Sequence, residues 1–112
     1  MEVIRQSAPF GGATRTRALI LLRLMGTSYA RELSRLMVQP VSVVQKALVG
    51  LERDTLIAAQ TVGRTRLFRL NPRYFALDEL DAYLRRLAEA APELAERAAS
   101  LRRRPRRTGK PL

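Results

Sequence analysis

Between residues 29 and 70 the apolar side chains change from a helical spacing to the alternating spacing of strands, which restricts the possible folds strongly. Two successive segments place apolar side chains three and four residues apart, which predicts two helices that each pack along one side. They are separated at Val38-Gln39-Pro40, because proline allows only a turn or the first positions of a helix. The second helix is therefore expected over residues 41–54.

A β-hairpin is expected directly after this second helix. Residues 56–62 and 65–70 are rich in the β-branched, small and aromatic side chains of strands, and Gly63-Arg64 between them forms the tip. Alternation alone leaves open which face of the hairpin is buried. The order helix, turn, helix, hairpin predicts a winged helix-turn-helix, mainly α with a small β-hairpin.

Another helix is expected before this motif. The segment ATRTRALILLRLM repeats its apolar side chains at helical spacing, and Gly26 is a suitable end for it. Thr27 and Ser28 are then the available caps for the next helix. The predicted order of elements is α-α-α-β-β-α.

A long apolar stripe follows the hairpin. Just before this stripe, we expect the chain to pack against the core through Tyr74, Phe75 and Leu77. Pro92 interrupts the stripe, so we expect a kink or a second helix beginning at Pro92. The stripe could be ordinary core, but its length favours a long C-terminal dimerisation helix. The interface residues expected there are Leu80, Tyr83, Leu84, Leu87 and Leu94.

These patterns divide the 112 residues into one compact unit with frayed ends. Residues 102–112 carry five Arg and one Lys with no acid, which suits either an arm that grips a nucleic-acid backbone or a solubilising end. The expected segments are an N-terminal arm (1–9), a winged helix-turn-helix domain (10–76), a C-terminal helix or kinked helix pair (77–101) and a disordered Arg-rich tail (102–112).

The charge balance points to a polyanionic partner. The chain has 21 Lys and Arg against 10 Asp and Glu, a net charge of +11, which indicates nucleic acid more often than a membrane surface. Acidic residues along the C-terminal stripe make it unattractive to an anionic bilayer. Nearly all the positive charge is arginine, whose donor fork suits phosphates and guanine edges, although a biased genome would give the same preference.

Other function classes are disfavoured by what the chain lacks. Without Cys or His there are no disulfides and none of the usual zinc, nickel or copper ligands, so we expect no metal and no cofactor. An enzyme would need a carboxylate pair or a Ser-Lys arrangement, and the acids cluster on predicted solvent faces. No signal pattern is present and no apolar run approaches the roughly 18 residues of a membrane span, which favours a cytoplasmic protein.

Over residues 10–77 the chain resembles small transcriptional regulators of the ArsR-like winged helix-turn-helix family. The resemblance is carried by FGGATRTRALILL, YARELSRLM, VSVVQKALVGLERDTLI and VGRTRLFRLNPRYF. The family usually has glycine at the positions of Val38 and Thr55, so both turns must be made here by β-branched residues. The ligands of its metal-sensing members are missing, so the resemblance implies no metal response.

The resemblance implies that the second helix of the motif presents its early residues to base edges in the major groove. By position, these are Ser42, Gln45 and Lys46. Gln45 suits adenine, Lys46 suits guanine or a phosphate, and Ser42 suits either surface. Val41 and Val43 are candidates for thymine methyl groups. The alternative is that these residues are only the solvated face of a helix.

Arginines on neighbouring elements extend this expected DNA-binding surface. Arg64 and Arg66 at the hairpin tip are suited to phosphates or to a narrow minor groove, with an ordinary solvated turn as the alternative. Arg31, near the entrance of the motif, is a further candidate for the DNA backbone.

The function expected from these features is sequence-specific binding of double-stranded DNA by a homodimer that regulates transcription, most simply as a repressor that occludes a promoter. The alternative is an adaptor module in which the same fold serves protein assembly, or binds RNA or nucleic acid without sequence preference.

Overall fold

A computed structural model of the chain describes residues 10–103, with side chains to residue 101. Within that range the chain is mainly helical, with five helices and one two-stranded antiparallel hairpin. The elements are α1 (Ala13–Met25), α2 (Ala30–Met37), α3 (Val41–Arg53), β1 (Ile57–Val62), β2 (Thr65–Leu70), α4 (Leu77–Glu89) and α5 (Pro92–Arg103). The expectation of a mainly α chain with a small hairpin is confirmed at this level. Of the expected N-terminal arm and tail, residues 1–9 and 104–112 lie outside the described residues, whereas 102 and 103 belong to α5.

α1 is the central helix of the structure. Its residues Ala18 to Leu22 are all buried, whereas a surface helix buries a single stripe. The helix packs against α3, α4, α5 and β2, which surround it. It ends where expected, because Gly26 adopts a φ of 88° and its N–H bonds to the Leu22 carbonyl at 2.8 Å.

The start of α2 differs from the prediction. Neither Thr27 nor Ser28 caps the helix, which begins at Ala30 without a side-chain cap. Ser28 instead exchanges backbone hydrogen bonds with Phe68, at 3.0 and 2.8 Å, and its hydroxyl donates to the Glu32 carboxylate at 2.6 Å. Because Ser28 forms an isolated antiparallel bridge with Phe68 of the hairpin, its side chain is not placed to cap α2.

Two turns of the chain are made by β-branched residues in the left-handed region, as expected. Val38, between α2 and α3, has a φ of 55°, and Thr55, between α3 and β1, has a φ of 65°. This conformation brings Cβ close to the following carbonyl and costs about 1–2 kcal/mol per residue. Both turns therefore store strain that glycine would relieve.

Val38→Gly is expected to stabilise the protein by about 0.5–1 kcal/mol, because the strain relieved at φ 55° exceeds the larger conformational entropy of glycine in the unfolded chain. The side chain of Val38 is 74% exposed, so little packing is lost. The matched control is Val49→Gly, a 62% exposed valine inside α3, which should destabilise by roughly 0.5 kcal/mol. Urea unfolding measures both changes, and a destabilised Val38→Gly variant would contradict the assignment of strain.

The hairpin has a two-residue tip and pairs residue for residue, from Ile57 with Leu70 to Val62 with Thr65. Phe68 is buried and Leu70 packs on the core, so this face of β2 lies against the body of the protein. Arg66 lies on the same face of β2 as Phe68 and Leu70, but it is nearer the tip and its side chain is exposed outside the core.

The C-terminal stripe forms two helices with Pro92 as the first residue of the second, which settles the choice between a kink and a break. Leu80, Leu84, Leu87 and Leu94 are buried. They join the core cluster of this one chain. The expectation for Phe75 was wrong, because its side chain is 91% exposed and its ring lies beside that of Tyr74, with centroids 5.0 Å apart.

Two arginines tie these last helices to the rest of the body. Arg97 of α5 donates to the Leu36 carbonyl at 2.8 Å, which satisfies a free carbonyl near the end of α2. Arg23 of α1 pairs with Asp81 of α4 at 2.9 Å. Each helix within residues 10–103 falls short of the length and apolarity needed to cross a membrane.

Candidate functional site

A concave region with a volume of about 580 Å³ lies between the start of α2, the outer face of α3 and the hairpin. We call it the α3–hairpin groove. Its polar and charged lining consists of Arg31, Gln45, Glu52, Arg64, Thr65 and Arg66. Its remaining lining consists of Tyr29, Ala30, Leu48, Val49 and Phe68. The arginines of this surface thus come from α2 and from the hairpin, and α3 contributes Gln45 and Glu52.

The outer face of α3 is presented to solvent because its other face is held in the core. Val44, Ala47, Leu48 and Leu51 are buried, and their spacing of three and four residues leaves the opposite side of the helix free. Ser42, Gln45, Lys46 and Val49 are exposed on that side. Val43 is 40% exposed and Val41 is half-buried.

Only one of the five residues predicted on this helix lines the groove. Gln45 does so, whereas Ser42, Lys46, Val41 and Val43 lie on neighbouring positions of α3 outside the groove lining. Ser42, Gln45 and Val49 share a face, because they are separated by three and four residues. Ser42 and Lys46 therefore extend the polar surface from the groove toward the first turn of α3.

The first turn of α3 carries no acid and no side-chain cap. Pro40 precedes it, and the Pro40 carbonyl accepts the N–H groups of Val43 and Val44 at 3.1 and 3.2 Å. The positive end of the helix dipole is therefore not neutralised by a side chain, which favours an anion near Ser42.

The two predicted hairpin arginines differ in their bonding. Arg64 is exposed at the tip, and the part of the chain that the structure describes gives it no ion pair. Arg66 donates from Nη2 to Oε2 of Glu52 at 2.7 Å, and its guanidinium lies 5.8 Å from the centre of the Phe68 ring. DNA contact by both arginines stays a prediction, and at Arg66 a phosphate would have to compete with an anionic partner that is already in place.

Arg31 lies exposed at the α2 edge of the groove. Arg35, one turn later, donates a long hydrogen bond of 3.4 Å to the Tyr29 hydroxyl. Within residues 10–103, the structure gives no ion pair for Arg31. Arg31 and Arg64 are therefore the groove cations with their charge available to a ligand.

Arg15 has a structural role away from the groove. Its guanidinium pairs with Asp54 at 3.2 Å and lies across Gly50, where a Cβ would overlap it. The absence of a side chain at Gly50 thus leaves room for the Arg15 guanidinium.

The residues expected at a dimer interface lie elsewhere in the fold. Leu80, Leu84, Leu87 and Leu94 are at most 6% exposed in the single chain, so they have almost no surface left for a second copy in this conformation. Tyr83 is 42% exposed and its ring lies 5.8 Å from that of Phe10. Tyr83 is the one member of the five that remains available, and dimerisation itself stays a prediction.

Sequence reasoning did not single out Tyr29, Val49, Glu52 or Phe68 as part of a site. The spacing of Gln45, Val49 and Glu52 at intervals of four and three residues was a usable signal that they share one face of α3. No sequence signal indicates that Glu52 meets Arg66, because that contact depends on how the hairpin folds back onto α3.

The residues that the structure describes contain no group of three or more acidic, His or Cys side chains that would suit a metal ion. Comparison of the chain with protein-family models, with curated proteins and with solved structures gives no match.

Proposed function

We propose that the chain binds double-stranded DNA through the α3–hairpin groove and regulates transcription as a sequence-specific, dimeric repressor. The observation that carries the proposal is the convergence of Arg31, Gln45, Arg64 and Arg66 from three elements on one concave surface. Guanidinium groups suit phosphates, and a glutamine amide suits the edge of adenine. A single surface thus holds side chains for both the backbone and the bases.

The order of elements supports a winged helix-turn-helix interpretation. In it, α2 and α3 with the turn at Val38 form the helix-turn-helix, and the hairpin is the wing. α3 would then lie in the major groove, where Ser42, Gln45 and Lys46 face the bases or the adjacent phosphates. The resemblance of residues 10–77 to ArsR-like regulators points the same way.

The charge of the groove supports a polyanionic ligand. Its lining has three arginines and one glutamate, and the whole chain carries +11. The sequence-independent part of DNA binding grows with the number of phosphates that a protein neutralises. A homodimer would place two such surfaces about one helical turn, roughly 34 Å, apart on a near-palindromic site, and occlusion of a promoter is the simplest consequence.

A competition experiment tests the proposal. Duplexes selected by the full-length protein from a randomised pool should remain bound at about 150 mM salt when random duplex or RNA is added in roughly 100-fold excess. Fluorescence anisotropy of the labelled duplex measures the bound fraction. If random DNA or RNA competes as well as the selected duplex, the chain is a nonspecific nucleic-acid or adaptor module, and the repressor proposal is wrong.

A further inference from the structure

Glu52 stands out as the one acidic side chain among the described residues that line the α3–hairpin groove. It lies two helical turns after Gln45 on the same face of α3. Its Oε2 is 2.7 Å from Nη2 of Arg66 on β2. A carboxylate in this position lowers the positive potential of the surface that a DNA phosphate would approach.

The Arg66 guanidinium is held on two sides. The Glu52 carboxylate accepts its Nη2 hydrogen bond, and the Phe68 ring lies 5.8 Å from its carbon, within the range of a cation–π contact. Phe68 belongs to the core cluster, so its ring gives the guanidinium a second contact that does not depend on Glu52. The guanidinium should therefore stay over the ring when its anionic partner changes.

Both members of the ion pair are accessible to an incoming ligand. The side chains of Arg66 and Glu52 are 54% and 36% exposed, and ion pairs in such surroundings are weak because water competes for both charges. A phosphate offers arginine the same hydrogen-bond geometry as a carboxylate. A phosphate oxygen could therefore take the place of the Glu52 carboxylate at the Arg66 guanidinium.

We propose that Glu52 competes with DNA phosphates for Arg66 and thereby limits the sequence-independent affinity of the groove. In the free protein the carboxylate occupies the guanidinium. In the complex a phosphate takes its place, and Glu52 is left without its partner beside a polyanion. Because phosphate contacts carry no sequence information, this competition weakens binding to duplexes of any sequence. The inference rests on the proposed function and assigns Glu52 a role within it.

The test is a double-mutant cycle on a duplex of arbitrary sequence. Glu52→Gln, Arg66→Gln and the double variant are compared with the full-length protein, together with Glu79→Gln, which removes an exposed acid from α4. Anisotropy titrations over a series of salt concentrations give the affinity and its salt dependence. Thermal unfolding checks that every variant is folded.

Glu52→Gln is expected to bind the duplex about fivefold more tightly near ~0.1 M salt, with a log–log salt slope steeper by about 0.9, the value for one added phosphate contact. The same change in the Arg66→Gln background should tighten binding clearly less, because no guanidinium is left to release and only the removed negative charge contributes. Glu79→Gln should bind like the unmodified protein.

Three results would overturn the inference, and only one of them would also overturn the proposed function. Equal tightening by Glu52→Gln in both backgrounds would mean that Glu52 acts only through its charge. Weaker binding by Glu52→Gln would mean that the carboxylate positions Arg66 for DNA. Either result leaves the proposed function standing, whereas failure of the unmodified protein to bind any duplex at about 50 mM salt removes both proposals.

Discussion

Replacing Gln45 by alanine together with Lys46 by glutamate is expected to weaken binding of a selected duplex by about 100- to 1000-fold. Loss of a bidentate contact from glutamine to adenine costs about 1–3 kcal/mol. In the proposed complex, charge reversal at Lys46 would remove one phosphate contact and add a repulsion, which accounts for roughly another tenfold. Both side chains are exposed on α3, so the melting temperature should remain nearly unchanged.

The matched control for this variant makes the same kinds of change on other surfaces, glutamine to alanine and a basic residue to glutamate. Gln60→Ala on β1 and Arg85→Glu on α4 both alter exposed positions outside the groove lining. The control alters the net charge by the same amount, so general electrostatics predicts equal losses for the two double variants. An affinity loss from the control as large as that from Gln45→Ala/Lys46→Glu would show that α3 does not read the DNA.

Leu84→Ala is expected to destabilise the protein by about 2–5 kcal/mol, because it leaves a cavity in the core. Leu84 lies on α4 and is fully buried in the core cluster. For a domain of this size, roughly 4 °C of melting temperature is lost per kcal/mol, so the midpoint should fall by about 8–20 °C. Leu67→Ala on β2, where the side chain is only half-buried, should cost about 1 kcal/mol.

The same variant separates a core role for Leu84 from an interface role. If the leucine stabilises one chain, the drop in melting temperature is the same at every protein concentration. If it lies between two chains, unfolding is coupled to dissociation and the drop changes with concentration. Thermal unfolding followed by circular dichroism over about a 50-fold range of concentration distinguishes the two cases. A drop that depends on concentration would contradict the burial seen here.

Several element boundaries were predictable because single residues determine them, unlike the start of α2, where neither expected cap is used. Pro40 separates α2 from α3, Gly63 lies at the hairpin tip, and Pro92 begins α5. Each of these residues restricts or widens the allowed backbone angles locally, whatever surrounds it. The exposed face of α3 was predictable for a similar reason, since the spacing of its apolar residues indicates which side is buried.

Which surface covers each apolar face was not predictable from the sequence. A stripe of leucines has the same spacing whether a helix of the same chain or a second chain covers it. In this structure Leu84 lies in the core of one chain. Periodicity also missed the burial of α1 on all sides and the exposure of Phe75. The pairing of Arg66 with Glu52 depends on the angle between the hairpin and α3, and the residues between them give no sign of it.

Whether DNA occupies the α3–hairpin groove can be measured by mapping the backbone chemical-shift changes of the labelled protein when a selected duplex is added. The proposal predicts the largest shifts at Arg31, Gln45, Val49 and Arg64, with little change on the outer face of α4. Shifts confined to α4, α5 or residues 102–112, with the groove unperturbed, would contradict it.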